Sequence, residues 1–199
     1  MPSPLVKTTI QACVMAVVSN LTAQFITAYK TKSDYTINWT PVLQFIIFTA
    51  LNTPPNFLWQ SFLESTFPSH TLVPSTSATT AAVTNNEKAL DNSQKAHSAL
   101  EPKLSIPNTL IKFSLDQSLG AAVNTVLFCL AIAGFKGATF QQAIGSAREE
   151  FWPIMSAGWT LWPLVSAVNY TLVRSVEGRS LVGGLAGMGW GVYLSLVTN

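Results

Sequence analysis

Asp116, Gly120 and Asn124 recur at i, i+4 and i+8 in a run that is otherwise apolar from Pro107 to Phe135, and Gln117 lies beside them. On a helix this spacing puts a carboxylate and a carboxamide on one face. A carboxylate inside such a run is a functional candidate if the run crosses a membrane, because it is costly there unless paired. Its natural partners are Lys112, one turn earlier, or Arg179. At headgroup level it would cost little, and both placements are open. A second set, Thr9, Cys13, Ala16, Asn20, Gln24 and Thr27, steps by three or four residues along the first apolar segment. Amides in hydrocarbon need partners, so that face points at other helices or at water. Asn20 and Gln24, like Asp116, Gln117, Asn124 and Asn169, are therefore candidates either for lining a polar path or for bonding helix to helix.

None of these groups forms a catalytic set. There is no Ser–His–Asp arrangement and no phosphate-cradling glycine loop after a strand. His70 and His97 lie in a polar stretch without metal-ligand spacing. Cys13 and Cys129 both sit in apolar runs and read as small buried side chains rather than a disulfide. No enzyme, cofactor or metal is expected. A net charge of +2 is too small to argue for nucleic acid.

The elements that must position these groups are membrane helices. Hydrophobic residues make up 48% of the chain and charged ones 10%, with mean hydropathy +0.33. Five apolar segments stand out: Leu5 to Tyr29, Thr40 to Leu63, Pro107 to Phe135, Phe151 to Val173 and Ser180 to Val197. The first is long enough to span a bilayer. In the second, Thr40 reads as N-cap with Pro41 at the first helical position, and Pro54-Pro55 predict a kink or break near Asn52. The fourth carries Trp152-Pro153 and Trp162-Pro163, read as bends and interfacial anchors. In the fifth, Gly183, Gly187 and Gly191 recur every four residues, a ladder for close helix contact within this chain or with a second copy.

Two stretches differ. Ser65 to Ile106 is rich in Ser, Thr, Asn and Ala, and no aromatic residue occurs after Phe67. It reads as a disordered, solvated loop with a short helix around Asn86 to Leu100. Thr139 to Glu150 sets Phe140, Ile144, Ala147 and Phe151 on one face, with Thr139 and Gln142 as a capping box. It reads as a short amphipathic helix in the membrane interface. The N-terminus MPSPLVKTTI reads as carrying no cleavable signal, so insertion would use internal signals. The expected organisation is two membrane helices in 1–64, a polar loop in 65–106, and the third span, amphipathic helix and Trp/Pro/Gly-rich helices in 107–199. The fold class is an all-α membrane protein, a bundle of about four transmembrane helices with one interfacial helix.

The run Trp159, Trp162-Pro163, Asn169-Tyr170, Val173, Arg179, Trp190 and Tyr193-Leu194-Ser195 resembles the C-terminal signature of the Mpv-seventeen and peroxisomal membrane protein two family. Asp116-Gln117, Trp59 with the prolines before it, and Gln24 agree with it upstream. Asn20, Phe57 and Gln60 depart from the family pattern, and Val173 is followed by Arg174 rather than proline. The resemblance implies a four-span protein of the mitochondrial inner or peroxisomal membrane. Some members are thought to form weakly selective pores for small solutes. The expected function is a channel-like pore in an organelle membrane. The alternative is a non-conducting scaffold that binds partner proteins through the glycine ladder and the long loop. Expected partners are the lipid bilayer, small solutes if a pore, and a second copy of the chain.

Overall fold

The computed structural model describes residues 3–89, 91 and 99–197, with side chains as far as residue 192. The elements in chain order are α1 (Pro4–Thr31), α2 (Trp39–Thr66), β1 (His70–Pro74), α3 (Thr76–Val83), β2 (Leu100–Leu104), α4 (Ile106–Phe135), α5 (Phe140–Gly158), α6 (Trp162–Leu172) and α7 (Val176–Val197). Of these, α1 and α4 are long and apolar enough to cross a membrane by length and composition.

The helices turn apolar side chains outward. Val6, Ile10, Val14 and Val18 on α1, and Leu43, Ile47 and Leu51 on α2, are exposed at four-residue steps. Lys112, Arg179, Ser19 and Ser166 are buried instead. A water-soluble protein does not expose contiguous apolar stripes of this size. In a bilayer the distribution is favourable, since lipid meets the apolar stripes and polar groups find partners inside.

α1 packs on α2 and α7, the second half of α4 on α5, and α6 on α4 and α7. α1 and α7 run parallel, because Met15 meets Gly184 and Ser19 meets Gly191. α1 and α2 are tied at their connection by Gln24. Its Nε2 donates to the Asn38 carbonyl at 2.9 Å, and the Asn38 N–H donates to its Oε1 at 2.8 Å. Asn38 caps α2, its Oδ1 accepting from the Thr40 N–H at 3.1 Å. The helix thus starts at Trp39, and Pro41 falls in its first turn, not immediately after a Thr40 cap.

Three further expectations are corrected. α2 runs through Pro54 and Pro55 as one helix, so the break expected as one alternative near Asn52 does not occur. Each proline lacks the N–H that would bond four residues back, but Asn52 and Asn56, on either side of the pair, are both held by Asn124. The fourth apolar segment is not one helix. α5 continues from the amphipathic stretch through Pro153 to Gly158, and α6 begins afresh at Trp162, with Pro163 in its first turn where no bond is lost. The capping box at Thr139 and Gln142 does form. The polar loop, finally, is ordered at both ends. β1 and β2 pair antiparallel, His70 opposite Leu104 through Pro74 opposite Leu100. Backbone bonds Ser105 N–H to Ser69 O and Ser75 N–H to Ala99 O, each 2.8 Å, extend the ladder. α2 and α4 bring the two ends together, so closing this hairpin adds little entropy cost. Most of the helix expected at Asn86 to Leu100, and His97, lie outside the described residues.

Candidate functional site: a polar column between three helices

α2 carries Asn52, Asn56, Gln60 and Glu64 at four-residue steps, and α4 carries Lys112, Asp116, Gly120 and Asn124 at the same step. Rows of residues four apart form ridges on a helix surface. Here the two rows meet antiparallel. Asn124 Oδ1 accepts from Asn52 Nδ2 at 3.0 Å and from Asn56 Nδ2 at 2.9 Å, and Asn124 Nδ2 returns a bond to Asn56 Oδ1 at 2.9 Å. Gln60 Nε2 donates to Asp116 Oδ1 at 2.9 Å. Lys112 Nζ donates to Glu64 Oε2 at 2.7 Å.

α6 completes the middle of the column. Ser166 Oγ donates to Asp116 Oδ2 at 2.6 Å and accepts from Gln117 Nε2 at 2.8 Å. Tyr170 OH donates to Gln60 Oε1 at 3.1 Å. Asp116 to Gly120 form a π turn within α4. A π turn frees backbone groups from the regular ladder, and Trp159 Nε1 donates to the Gln117 carbonyl at 3.1 Å. At Gly120 a Cβ would stand 2.9 Å from Trp59 Nε1, so only glycine lets the indole reach the α4 backbone. Trp59 Nε1 and Gln117 Oε1 are buried without a hydrogen-bond partner among the described residues.

One end of the column is a charged clamp. Glu64 Oε2 also accepts from Arg179 at 2.5 Å, and Glu64 Oε1 accepts from the Ser69 N–H at 2.9 Å. Ser69 Oγ takes bonds from Lys112 and, at 3.1 Å, from Arg179. Arg179 Nε is shared by the Asn169 and Val173 carbonyls, at 3.2 and 3.0 Å. Both cations lie against the Tyr170 ring, Lys112 at 5.1 Å and Arg179 at 5.4 Å from its centroid. The Lys112 side chain is 0% exposed and that of Arg179 1%, while Glu64 keeps 27%. Glu64 stands just beyond the apolar Thr40–Leu63 segment. Lys112, the Ser69 N–H and Arg179 all donate to its carboxylate.

The candidate residues divide accordingly. Asp116, Gln117 and Asn124 come together with α2 and α6. Lys112 and Arg179 pair with Glu64 and not with Asp116, because Asp116 sits a turn further along α4 and is occupied by Gln60 and Ser166. Asn20 and Gln24 belong elsewhere: they bond each other at 2.8 Å and serve the α1–α2 connection. Asn169 Nδ2 donates to the Arg179 carbonyl at 3.3 Å. Among the glycines, Gly191 meets Ser19 Oγ at a would-be Cβ distance of 2.8 Å, whereas Gly187 has only an ordinary 3.8 Å contact with Trp162 and Gly183 meets nothing within 4 Å. The α1 seam is Gly184, Met188 and Gly191, with Ser19 Oγ donating to the Met188 carbonyl at 3.2 Å. Gly191 thus faces α1 and Gly187 faces α6, while Gly183 meets no neighbour among the described residues, so the three do not form one seam. Trp190 lies in α7, and the side chain of Tyr193 lies outside the described residues. Asn52, Asn56, Gln60, Glu64 and Ser166 were missed from sequence. The four-residue recurrence on α2, mirroring that on α4, was the signal that could have found the first four.

Residues 133–195 match the Mpv17 / PMP22 family. The chain is 26% identical over 108 residues to protein SYM1 of Saccharomyces cerevisiae, covering 54% of this chain and 53% of the relative. It is 32% identical over 88 residues to protein sym1 of Aspergillus oryzae, covering 44% and 49%. It is 30% identical over 88 residues to PXMP2/4 family protein 3 of Dictyostelium discoideum, covering 44% and 47%. The matched region spans about half the length of these curated relatives. No solved structure matches. The resemblance read from the signature residues is borne out: through residues 133–195 the chain is similar to the Mpv17 / PMP22 family.

Proposed function

We propose that the chain is an integral protein of an organelle membrane, mitochondrial or peroxisomal, and that small polar solutes pass along the α2–α4–α6 column. The family resemblance supports the organelle. The extent of the column supports the passage. From Lys112 to Asn124, α4 rises about 18 Å, more than half of a hydrocarbon core of about 30 Å. Helix association in a membrane needs no such length, since each polar bond adds only about 0.6–2 kcal/mol. A wet path does need polar groups at successive depths. In this reading the paired arrangement is the closed one, and opening exchanges side-chain partners for water. The whole crossings are α1, α2, α4 and α7. α5 and α6 make a broken crossing, with the charged clamp and the hairpin at one membrane face.

One observation favours a second reading, a non-conducting scaffold. Asn124 and Asp116 already have protein partners on neighbouring helices. In that reading the column fixes helix register, and the hairpin and outer helix faces meet partner proteins. Flux of graded neutral and charged solutes from liposomes carrying the purified protein separates the two: flux above empty liposomes supports the path, and its absence leaves the scaffold. Fluorescent localisation beside mitochondrial and peroxisomal markers tests the organelle.

A further inference from the structure

A groove of about 380 Å³ runs between α4 and α5. Val126 and Leu130 line it from α4, and Ile144, Phe151 and Trp152 from α5, with Arg148 as its charged group. Arg148 has no ion-pair partner among the described residues. Trp152 is 65% exposed at the groove and edges against Phe151, ring centroids 5.2 Å apart. Arg148 follows the start of α5 at Phe140 by about 12 Å of helix rise. An arginine at that depth extends its guanidinium toward the headgroups while its stem covers apolar surface.

We propose that this groove binds an anionic phospholipid, one acyl chain along Val126, Leu130, Ile144 and Phe151 and the phosphate on Arg148. The apolar lining fits a hydrocarbon chain and no polar solute. The unpaired cation in its lining fits an anionic headgroup, as basic pockets between membrane helices do. The inference rests on the membrane reading and not on conduction.

The test uses the full chain purified in detergent, with dioleoylphosphatidylglycerol or dioleoylphosphatidylcholine added, and reads lipid retention by native mass spectrometry. Phosphatidylglycerol should be retained in preference. In Arg148→Gln that preference should fall about five-fold, the factor for one basic residue at an anionic surface, and Arg148→Lys should restore most of it. Val126→Trp, which fills the groove from α4, should weaken retention of both lipids. Equal retention of the two lipids by the wild type, or an undiminished preference in Arg148→Gln, overturns the proposal. So does competition by free glycerol 3-phosphate as strong as by the intact lipid, which would mean a phosphate site without a chain. A chain that stays monodisperse without detergent would sink the membrane reading beneath it, an outcome distinct from lipid indifference.

Discussion

Gln60 faces Asp116 across α2 and α4, its Nε2 2.9 Å from Oδ1, and further polar contacts follow in both directions along the column. One step toward the hairpin is Glu64 with Lys112. Two steps the other way is Asn52, with Asn56, on Asn124. The pattern fixes register as well as association. Sliding one helix by one step to bring Glu64 opposite Asp116 would set two carboxylates together and free Lys112 of its partner, a repulsion that grows in a low dielectric.

Glu64 should be the most sensitive single position in the clamp. Glu64→Gln leaves Lys112 and Arg179 buried without their shared counter-charge. The expected loss is about 2–3 kcal/mol, below that for a fully buried pair because Glu64 keeps partial exposure. Thermal melts of wild type and Glu64→Gln in one detergent check it. A variant as stable as the wild type would rule out this role.

Much of this architecture was legible because apolar length and polar spacing are local. The bounds of α1 follow from the apolar run of Leu5 to Tyr29, and the α5 cap from Thr139 and Gln142. Asp116 and Asn124 stood out as polar groups in an apolar run. Their partners did not, because pairing depends on which helix lies alongside. Glu64 reads as the polar end of a span until α4 and α7 bring two buried cations to it. The hairpin was illegible for the same reason: its strands are weak by composition and form only where α2 and α4 hold their ends together. The break at Trp159 to Leu161 was hidden because proline at a helix start and proline inside a helix look alike in sequence.

The α1–α7 seam makes a paired prediction. Gly191→Leu must displace Ser19, whose hydroxyl holds the Met188 carbonyl. It should cost about 1–3 kcal/mol, the range for overpacked contacts. Gly183→Leu enters open space and should stay within about 0.5 kcal/mol of wild type, as outward-facing changes do. Thermal melts of both variants in one detergent check it. A Gly183 variant as unstable as the Gly191 variant would mean that the seam is placed wrongly.

The broken crossing is tested by labelling. Single cysteines at Ser33 and Lys136 should react with a membrane-impermeant thiol reagent from one face of sealed vesicles. Those at Lys103 and Arg174 should react from the opposite face. The decisive pair is Lys136 and Arg174, which bracket α5 and α6. Reaction of both from the same face would make the α5–α6 segment a shallow re-entrant piece rather than a crossing.

The column itself separates path from scaffold. Asn124→Leu removes the group that holds Asn52 and Asn56, and Asp116→Asn removes the carboxylate held by Gln60 and Ser166. If solutes pass here, Asn124→Leu should lower flux in liposomes, because an apolar wall raises the barrier to wetting. Asp116→Asn should shift selectivity away from cations, since a fixed negative charge midway along the column would be gone. If the same groups only tie α2, α4 and α6 together, each substitution should lower stability by about 0.6–2 kcal/mol, with no flux to alter. Gln24→Leu serves as the control. Gln24 bonds Asn20 and the α1–α2 connection and, among the described residues, makes no hydrogen bond to the column. It should therefore lower stability while leaving any flux and its selectivity unchanged. Flux reduced equally by Gln24→Leu and Asn124→Leu would place the path on α1 instead. Flux and selectivity unchanged in the two column variants, with melting lowered in both, would leave the scaffold reading standing.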